Sequence, residues 1–395
     1  MSNFLKSIFS ADKTSYDTCA PYKYPEVDRT AEDVQRYFCG QDGYWHRPGA
    51  GSSGEAVLCC VGDIMGEPQI QRANKYGDTY FFHPCFKYVR DTLKASDLAI
   101  GNLETTVTDR TPYAGEHHRI DGKYHCNAPE AYLDSLRYAG FDAFVNANNH
   151  NCDSMAAGLI DTNSALDRHG FMHTGTFTDP KQERVLFIEV CGIRIAVISY
   201  ATYFNKNESC FTKLGRTVLL NEYDKAKARQ DVGYARQKGA EFVLVYIHWG
   251  KEYTHTVGDA QRSMAKELAD CGVDYIVGSH THCLQAREFV TSSDGKTVPV
   301  VYSMGNFITN ESKEICKHSG ILQLKLKKTE SGVAVEESFI PCYVFKKYDA
   351  SRYAPVPTTR ETTVESDKAF LMKADKYIRD VMCIDTPDSE NQVVR

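Results

Sequence analysis

Five short strings place residues of metal-binding type directly after apolar runs: Asp63 in VGDIMG, Glu104 in GNLETTV, Asn149 and His150 in NANNHNCD, His248 in YIHWGKEY, and His280 and His282 in VGSHTHCLQ. Carboxylate, amide and imidazole donors together suit borderline divalent ions such as Zn, Mn or Fe. Each string alone has a plainer reading. A carboxylate at a strand end is often only a helix N-cap, an Asn-rich stretch is often a turn, and a strand-end histidine beside a tryptophan is usually packed in a core. What the plain readings leave unexplained is the coincidence of all five in one chain. The Asn-rich string is the most informative, because three asparagines around a histidine are costly to bury without a role. There Asn149 can offer its amide oxygen to a metal, His150 can face a substrate, and Asp153 can hold the second ring nitrogen of that histidine.

The elements that must position these residues alternate in type. AVLCCVG reads as a short buried strand ending at Asp63, and DLAIGN as a strand ending near Asn102. Helical spacing follows in 83–95 and in EAYLDSLRYAG, then come the strand FDAFVNAN and a helix over 155–169. RVLFIEV and IRIAVISY, joined by Cys191-Gly192, predict a hairpin. A helix over 221–238 precedes the strand EFVLVYIH, and a helix over 259–271 precedes VDYIVGS and VPVVYSMGN. GILQLKLKK and GVAVEESFI predict a second hairpin, and 365–382 a terminal helix. This order implies an α/β fold with a largely parallel sheet and either a second sheet or antiparallel edges. In such folds the side chains beyond the carboxyl ends of the strands converge on one crevice. Gly62 and Gly101 suggest backbone that closely approaches a ligand. Residues 1–54 read as an extension closing in the linker-like GAGSSGE, 55–345 as the domain, and 346–395 as a C-terminal extension with a helix.

Composition narrows the function classes. An apolar share of 42%, a charged share of 25% and a net charge of −6 describe an ordinary globular chain. No basic stripe is present for nucleic acid or an anionic membrane surface. No apolar run approaches the roughly 18–20 residues that span a bilayer, and the first residues lack an export signal. The 14 cysteines are scattered, several within strand-like runs such as Cys59, Cys60 and Cys191, with no paired zinc-ribbon spacing. They read as buried thiols of a reducing compartment, and the chain as cytoplasmic.

The ordered set VGDIMG, GNLETTV, NANNHNCD, YIHWGKEY, VGSHTHCLQ and VYSMGNF resembles the CapA-type proteins of capsule and poly-γ-glutamate synthesis, a family similar to the calcineurin-like metallophosphoesterases. The resemblance runs from about Val57 to Phe307 and implies two mixed sheets packed together between helices, a four-layer αββα arrangement. By the same resemblance Asp63 and His282 bind a first metal, Asn149, His248 and His280 a second, and Glu104 stands where a bridging aspartate usually sits, a departure from the superfamily pattern. His150, with Asp153, becomes the acid or electrostatic stabiliser at the leaving group. Asn102, Trp249, Glu252 and Asn306 fall on the substrate side. One departure weakens the first metal position: Met65 stands where the superfamily usually has a histidine.

What the resemblance implies is a hydrolase using one or two divalent ions (Mn, Fe or Zn), in which metals turn water into a nucleophile and oppose charge on the substrate oxygens. A phosphoester and a γ-glutamyl or acyl bond are both suitable targets. The expected partners are a polyanionic polymer or a phosphorylated small substrate, and a membrane synthase. The competing expectation is a metal-binding accessory protein of capsule assembly without turnover.

Overall fold

The computed structural model describes residues 35–384, apart from Asp121, together with the strand Val393–Val394. The first 34 residues of the expected N-terminal extension therefore lie outside the described residues. Two large mixed sheets, one of nine strands and one of eight, dominate the fold.

In chain order the principal elements are β1 (Glu55–Ile64), β2 (Leu98–Leu103), α1 (Ala131–Ala139), β3 (Ala143–Val145), α2 (Met155–Arg168), β4 (Met172–Thr174), β5 (Leu186–Val190) and β6 (Ile193–Ala201). They continue with α3 (Lys225–Gln237), β7 (Phe242–His248), α4 (Asp259–Asp270), β8 (Tyr275–Ser279), β9 (Leu284–Thr291), β10 (Thr297–Met304), β11 (His318–Thr329), β12 (Gly332–Tyr348), β13 (Ser351–Pro357) and α5 (Glu365–Met382). The nine-stranded sheet runs β4-β3-β2-β1-β11-β12-β13, with Asn306–Ile308 added beside β1 and Val393–Val394 beside β12. The eight-stranded sheet runs from Phe38–Cys39 and Trp45–His46 through β5-β6-β7-β8-β10-β9.

Near-continuous apolar sequence marks the central strands because both of their faces are covered. In β1, Leu58 and Cys60 face the other sheet while Cys59 and Val61 face the helices beyond. The inter-sheet core joins Leu58, Ile100 and Val145 to Ile195, Leu244 and Val277. Phe82, Phe86, Leu133 and Leu136 close the outer face of the nine-stranded sheet. Val232 and Ala235 of α3, with Ala265 and Leu268 of α4, do the same for the eight-stranded one. This is the four-layer αββα arrangement expected.

Both hairpins form. Cys191 and Gly192 each take positive φ, 50° and 85°, which matches a tight turn to the twist of β5 and β6. The second hairpin joins β11 to β12. Helix α1 ends at Gly140 with φ of 102°, where the left-handed cap favours glycine. Two elements absent from the sequence reading are the edge strands β9 and β13. The helix expected over 221–238 starts at Lys225, behind the N-cap Asp224, whose carboxylate accepts from the Lys227 amide. In place of one helix over 83–95 stand two short ones, His83–Phe86 and Arg90–Ala95.

The segment leading into β1 is tied to the body. Arg36 forms an ion pair with the buried Asp142, and Tyr37 is buried and donates to the Asp97 carbonyl. At the other end, β12 runs through residue 345 to Tyr348, and α5 packs Ile378 and Met382 into the inter-sheet core. Every described cysteine is free, and most are buried. No described helix is long and apolar enough to cross a membrane.

Candidate metal centre

Asp63 sits near the end of β1, Glu104 directly follows β2, and Asn149 and His150 lie just beyond β3. From the other sheet His248 ends β7, and His280 and His282 follow β8. The carboxyl ends of the parallel strands thus bring all seven residues to one crevice. Backbone packs tightly around the crevice. A Cβ on Gly62 would fall 1.9 Å from the Gly305 carbonyl oxygen, and one on Gly278 2.0 Å from that of Tyr302. The close approach expected at Gly62 and Gly101 is therefore to neighbouring protein rather than to a ligand. Gly62 meets the backbone beside β1, and Gly101 the side chains of Ile64, Val61 and Phe141.

His280 and His282 both take positive φ, 92° and 57°, a backbone region that non-glycine residues rarely occupy. That turn sends both rings inward around Thr281. The His280 Nδ1 lies 3.0 Å from His248 Nε2, which is itself 2.9 Å from Asn149 Oδ1 and 3.4 Å from Glu104 Oε1. On the other side His282 Nδ1 is 3.7 Å from Asp63 Oδ2. Ligand atoms of Glu104, His248 and His280 lie within 4.8 Å of one another, and so do those of Asp63, Glu104 and His282. Glu104 belongs to both groups, the place a bridging carboxylate would take.

Electrostatics point the same way. Burial raises the Glu104 pKa well above the usual carboxylate value, with the neighbouring Asp63 adding to it. Asp63 is also raised, again mainly by burial. Burial and the facing imidazoles lower His248 well below its ordinary value and bring His280 down to about 3. Without a cation, burial therefore penalises the charged forms of Glu104, Asp63, His248 and His280. Neither oxygen of Glu104 accepts a hydrogen bond from any described residue, although both are buried. A divalent cation fits: it would occupy the orphaned carboxylate oxygens and reverse the penalty on charged carboxylates beside neutral imidazoles.

Surrounding residues hold the donors in place. Asn102 donates to Asp63 Oδ1 at 2.8 Å, and Asn148 donates to Asn102 Oδ1 at 3.1 Å. Ser279 Oγ is 2.9 Å from His248 Nδ1, and Asn306 Oδ1 is 3.0 Å from His282 Nδ1. Asn102 and Asn306, expected on the substrate side, are fully buried supports of the ligands. Trp249 requires a correction: instead of lining the substrate side it is completely buried in the core between the eight-stranded sheet and its helices, its indole N–H donating to the Tyr302 carbonyl. Strand alternation explains this, since the residue after His248 turns to the opposite face.

His150 Nδ1 lies 2.6 Å from Asp153 Oδ2, the pairing expected from sequence. Burial lowers the His150 pKa, but the Asp153 carboxylate outweighs it and the net shift is upward. The Cys126 amide donates to the same carboxylate oxygen, and Asn207 to the other. Cys126, His150 and Asp153 form a further close group, but burial holds the Cys126 thiol well above its usual pKa. The crevice opens into a cleft of about 610 Å³ lined by His150, His282, Met65, Glu252 and a ring of residues the sequence reading missed: Arg119, Lys123, Tyr124, Tyr203, Asn205, Asn207, Tyr253 and Glu311. Most of these sit on short irregular segments with no apolar strand before them, so the cue that found the ligands is absent. Ser279 and Asn148 were within the quoted motifs, and only their contacts reveal their supporting place.

The family model described as "Bacterial capsule synthesis protein PGA_cap" matches residues 57–311. The chain belongs to this family. Among its relatives, the capsule biosynthesis protein CapA of Bacillus anthracis is 31% identical over 291 residues, covering 71% of this chain and 65% of that protein. The PGA biosynthesis protein CapA of Bacillus subtilis is 27% identical over 275 residues, covering 69% and 68%. The match thus leaves about a third of each CapA relative's length outside it. Among solved structures, the calcineurin-like phosphoesterase YfkN of B. subtilis aligns with a TM-score of 0.44 at 14% identity, over 82% of this chain and 99% of that one. The sulfate thiohydrolase SoxB of Thermus thermophilus aligns with the same TM-score and identity, over 84% and 62%. The matched span contains all five residues of the two ligand groups and Asn149.

Proposed function

We propose that this PGA_cap protein is a metal-dependent hydrolase that cleaves a phosphoester, or a γ-glutamyl or acyl bond, in the metabolism of poly-γ-glutamate or another envelope polymer. The observation that carries this reading is Glu104, a buried carboxylate with two unpartnered oxygens shared by two groups of potential ligands. Asp63, Glu104 and His282 would hold one divalent ion, and Glu104, Asn149, His248 and His280 a second. Bound Mn, Fe or Zn would supply Lewis acidity and a nucleophile derived from water at neutral pH.

The chain's own residues do the rest. Asp153 fixes the His150 ring through Nδ1, which leaves Nε2 as the proton-carrying atom for a leaving group in the cleft. Asn102 and Asn306 keep Asp63 and His282 from rotating away. Buried walls limit competing water. A cytoplasmic place beside a membrane synthase is part of the same proposal.

The test is elemental analysis of the purified chain with turnover assays on phosphoesters, γ-glutamyl amides and envelope fragments in Mn, Fe and Zn. Bound metal with turnover that falls in His150→Ala supports the reading; metal-free protein inert on every substrate class overturns it. One observation favours the accessory alternative. Met65 lines the cleft where an imidazole is expected, leaving the Asp63 group with three protein donors. Tight metal binding without turnover of any substrate class would select that alternative.

A further inference from the structure

Strand β6 ends at Ala201, and the chain from 202 to 207 then passes beside the ligand groups. Thr202 ties the start of this segment to His248, donating to its carbonyl from the amide at 3.0 Å and from the hydroxyl at 3.2 Å. Phe204 is buried in one apolar cluster with Ala147 and Cys152, which flank Asn149 in sequence. The alternate side chains reach the centre. Tyr203 stands 6.3 Å from the His280 ring, Asn205 Oδ1 accepts from Asn149 Nδ2 at 3.2 Å, and Asn207 donates to Asp153 Oδ1 at 3.1 Å. One short segment therefore meets three donors of the second ligand group and the carboxylate that holds His150.

The contact with Asn149 bears on metal binding, because a carboxamide has two unlike ends. Its oxygen can ligate a cation, whereas its NH2 group only donates. Asn149 Oδ1 lies 2.9 Å from His248 Nε2, on the side of the ligand group. The amide nitrogen is buried and has Asn205 Oδ1 as its acceptor. Turning the amide over would point the NH2 group at the cation and set two amide oxygens against each other. Backbone conformation does not by itself call for asparagine at 205. Its φ of 57° lies in the left-handed region that asparagine tolerates, yet Lys206 beside it takes φ of 61° with a side chain of another kind. What position 205 adds is an acceptor. Resting on the reading of the centre as a metal site, we propose that Asn205 is a positioning residue. It holds the Asn149 amide with its oxygen towards the second ion, as groups behind metal ligands commonly do.

Titration of the chelator-treated full chain with Mn, Fe and Zn ions, followed by calorimetry, tests this without any turnover. Asn205→Gly keeps the left-handed backbone and removes the acceptor. It should weaken the second ion by about tenfold and leave the first unchanged, within the range that supporting contacts produce. Asn205→Asp offers an acceptor to the same amide and should bind at least as tightly as wild type. Lys206→Gly loosens the same segment without touching Asn149 and should match wild type. In a His282→Ala background, which breaks the first ligand group, the loss caused by Asn205→Gly should recur in the ion that remains. Circular dichroism melts in chelator establish that each variant is folded. Asn205→Asp as weak as Asn205→Gly, Lys206→Gly as weak as Asn205→Gly, or a loss that falls on the ion released by His282→Ala would overturn the proposal. A wild-type chain that takes up none of the three metals overturns the metal reading and this inference with it. Ions bound by wild type and held just as tightly by Asn205→Gly overturn this inference alone.

Discussion

The two sheets contribute unlike halves to one centre: from the nine-stranded sheet come the oxygen donors Asp63, Glu104 and Asn149, and from the eight-stranded sheet the imidazoles His248, His280 and His282. Each half is unfavourable alone. Asp63 and Glu104 face each other as buried carboxylates that resist ionising, and His248 and His280 resist protonation. A cation between them would make the two halves compatible, and the centre would then double as a clamp across the inter-sheet core. Neither sheet by itself carries a complete ligand set.

The largest effect is expected at the residue both groups share. Glu104→Gln should reduce bound metal towards zero and turnover by about a thousandfold or more, as loss of a principal electrostatic contributor does. The same change removes a buried unpaired carboxylate, so with chelator present the variant should be more stable than wild type by about 1–3 kcal/mol. Urea melts with and without chelator check the sign, which must reverse between the two conditions. A variant less stable than wild type in both would mean that Glu104 has a packing role unrelated to metal.

Chelation of the wild type comes next. If free metal stands at about a thousand times its dissociation constant, its removal should cost about 4 kcal/mol of stability. The loss should appear as a single cooperative transition, because the clamp joins both sheets. Separate unfolding of the two sheets would break the comparison.

The halves can then be unbalanced. His282→Ala leaves Asp63 and Glu104 without any imidazole, because Met65 offers none, and should release about one equivalent of metal. His280→Ala leaves Glu104, His248 and Asn149 in the second group, so metal there should weaken but persist at high concentration. Met65→His restores an imidazole at the cleft and should tighten the first position by about tenfold, within the range that ligand-shell changes produce. Elemental analysis across a dilution series reads all three.

Much of this was legible in the sequence, and the reasons are specific. Asp63, Glu104, Asn149, His248 and the His280–His282 pair each follow an apolar run, and strand ends are where parallel sheets deliver function. The hairpin at Cys191-Gly192 announced itself by its turn residues. Trp249 misled because the resemblance of its string put it on the substrate side beside His248, whereas alternation sends adjacent side chains to opposite faces. The cleft wall was invisible for another reason: Arg119, Lys123, Asn205 and Glu311 lie on irregular segments whose placement depends on tertiary contacts. Pairings such as Lys123 with Asn207 join residues 84 positions apart that no local pattern connects.

The smallest effects come from two histidines outside the centre, which separate what burial does from what a metal does. His318 packs against Tyr343 and Tyr377, and burial pushes its pKa down to about 4. The unfolded chain takes a proton near pH 6.5 that the folded chain refuses until about 4. Stability should therefore fall as pH drops across that window, by at most about 3 kcal/mol. His318→Phe, which keeps the ring packing, should flatten that slope. His169 has the opposite sign. Burial lowers it, but Glu130 at 2.9 Å and Asp134 at 3.3 Å outweigh burial, so its folded-state pKa is raised. Its contribution is fully present below its unfolded value and lost as pH rises through the folded one. His169→Gln should remove stability on the acidic side and little above that range. Because both residues lie away from the ligand groups, their slopes should be the same with and without chelator. A His318 slope that vanished on chelation would show that burial alone does not set it, and the contrast between the oxygen and nitrogen halves would then extend beyond the centre.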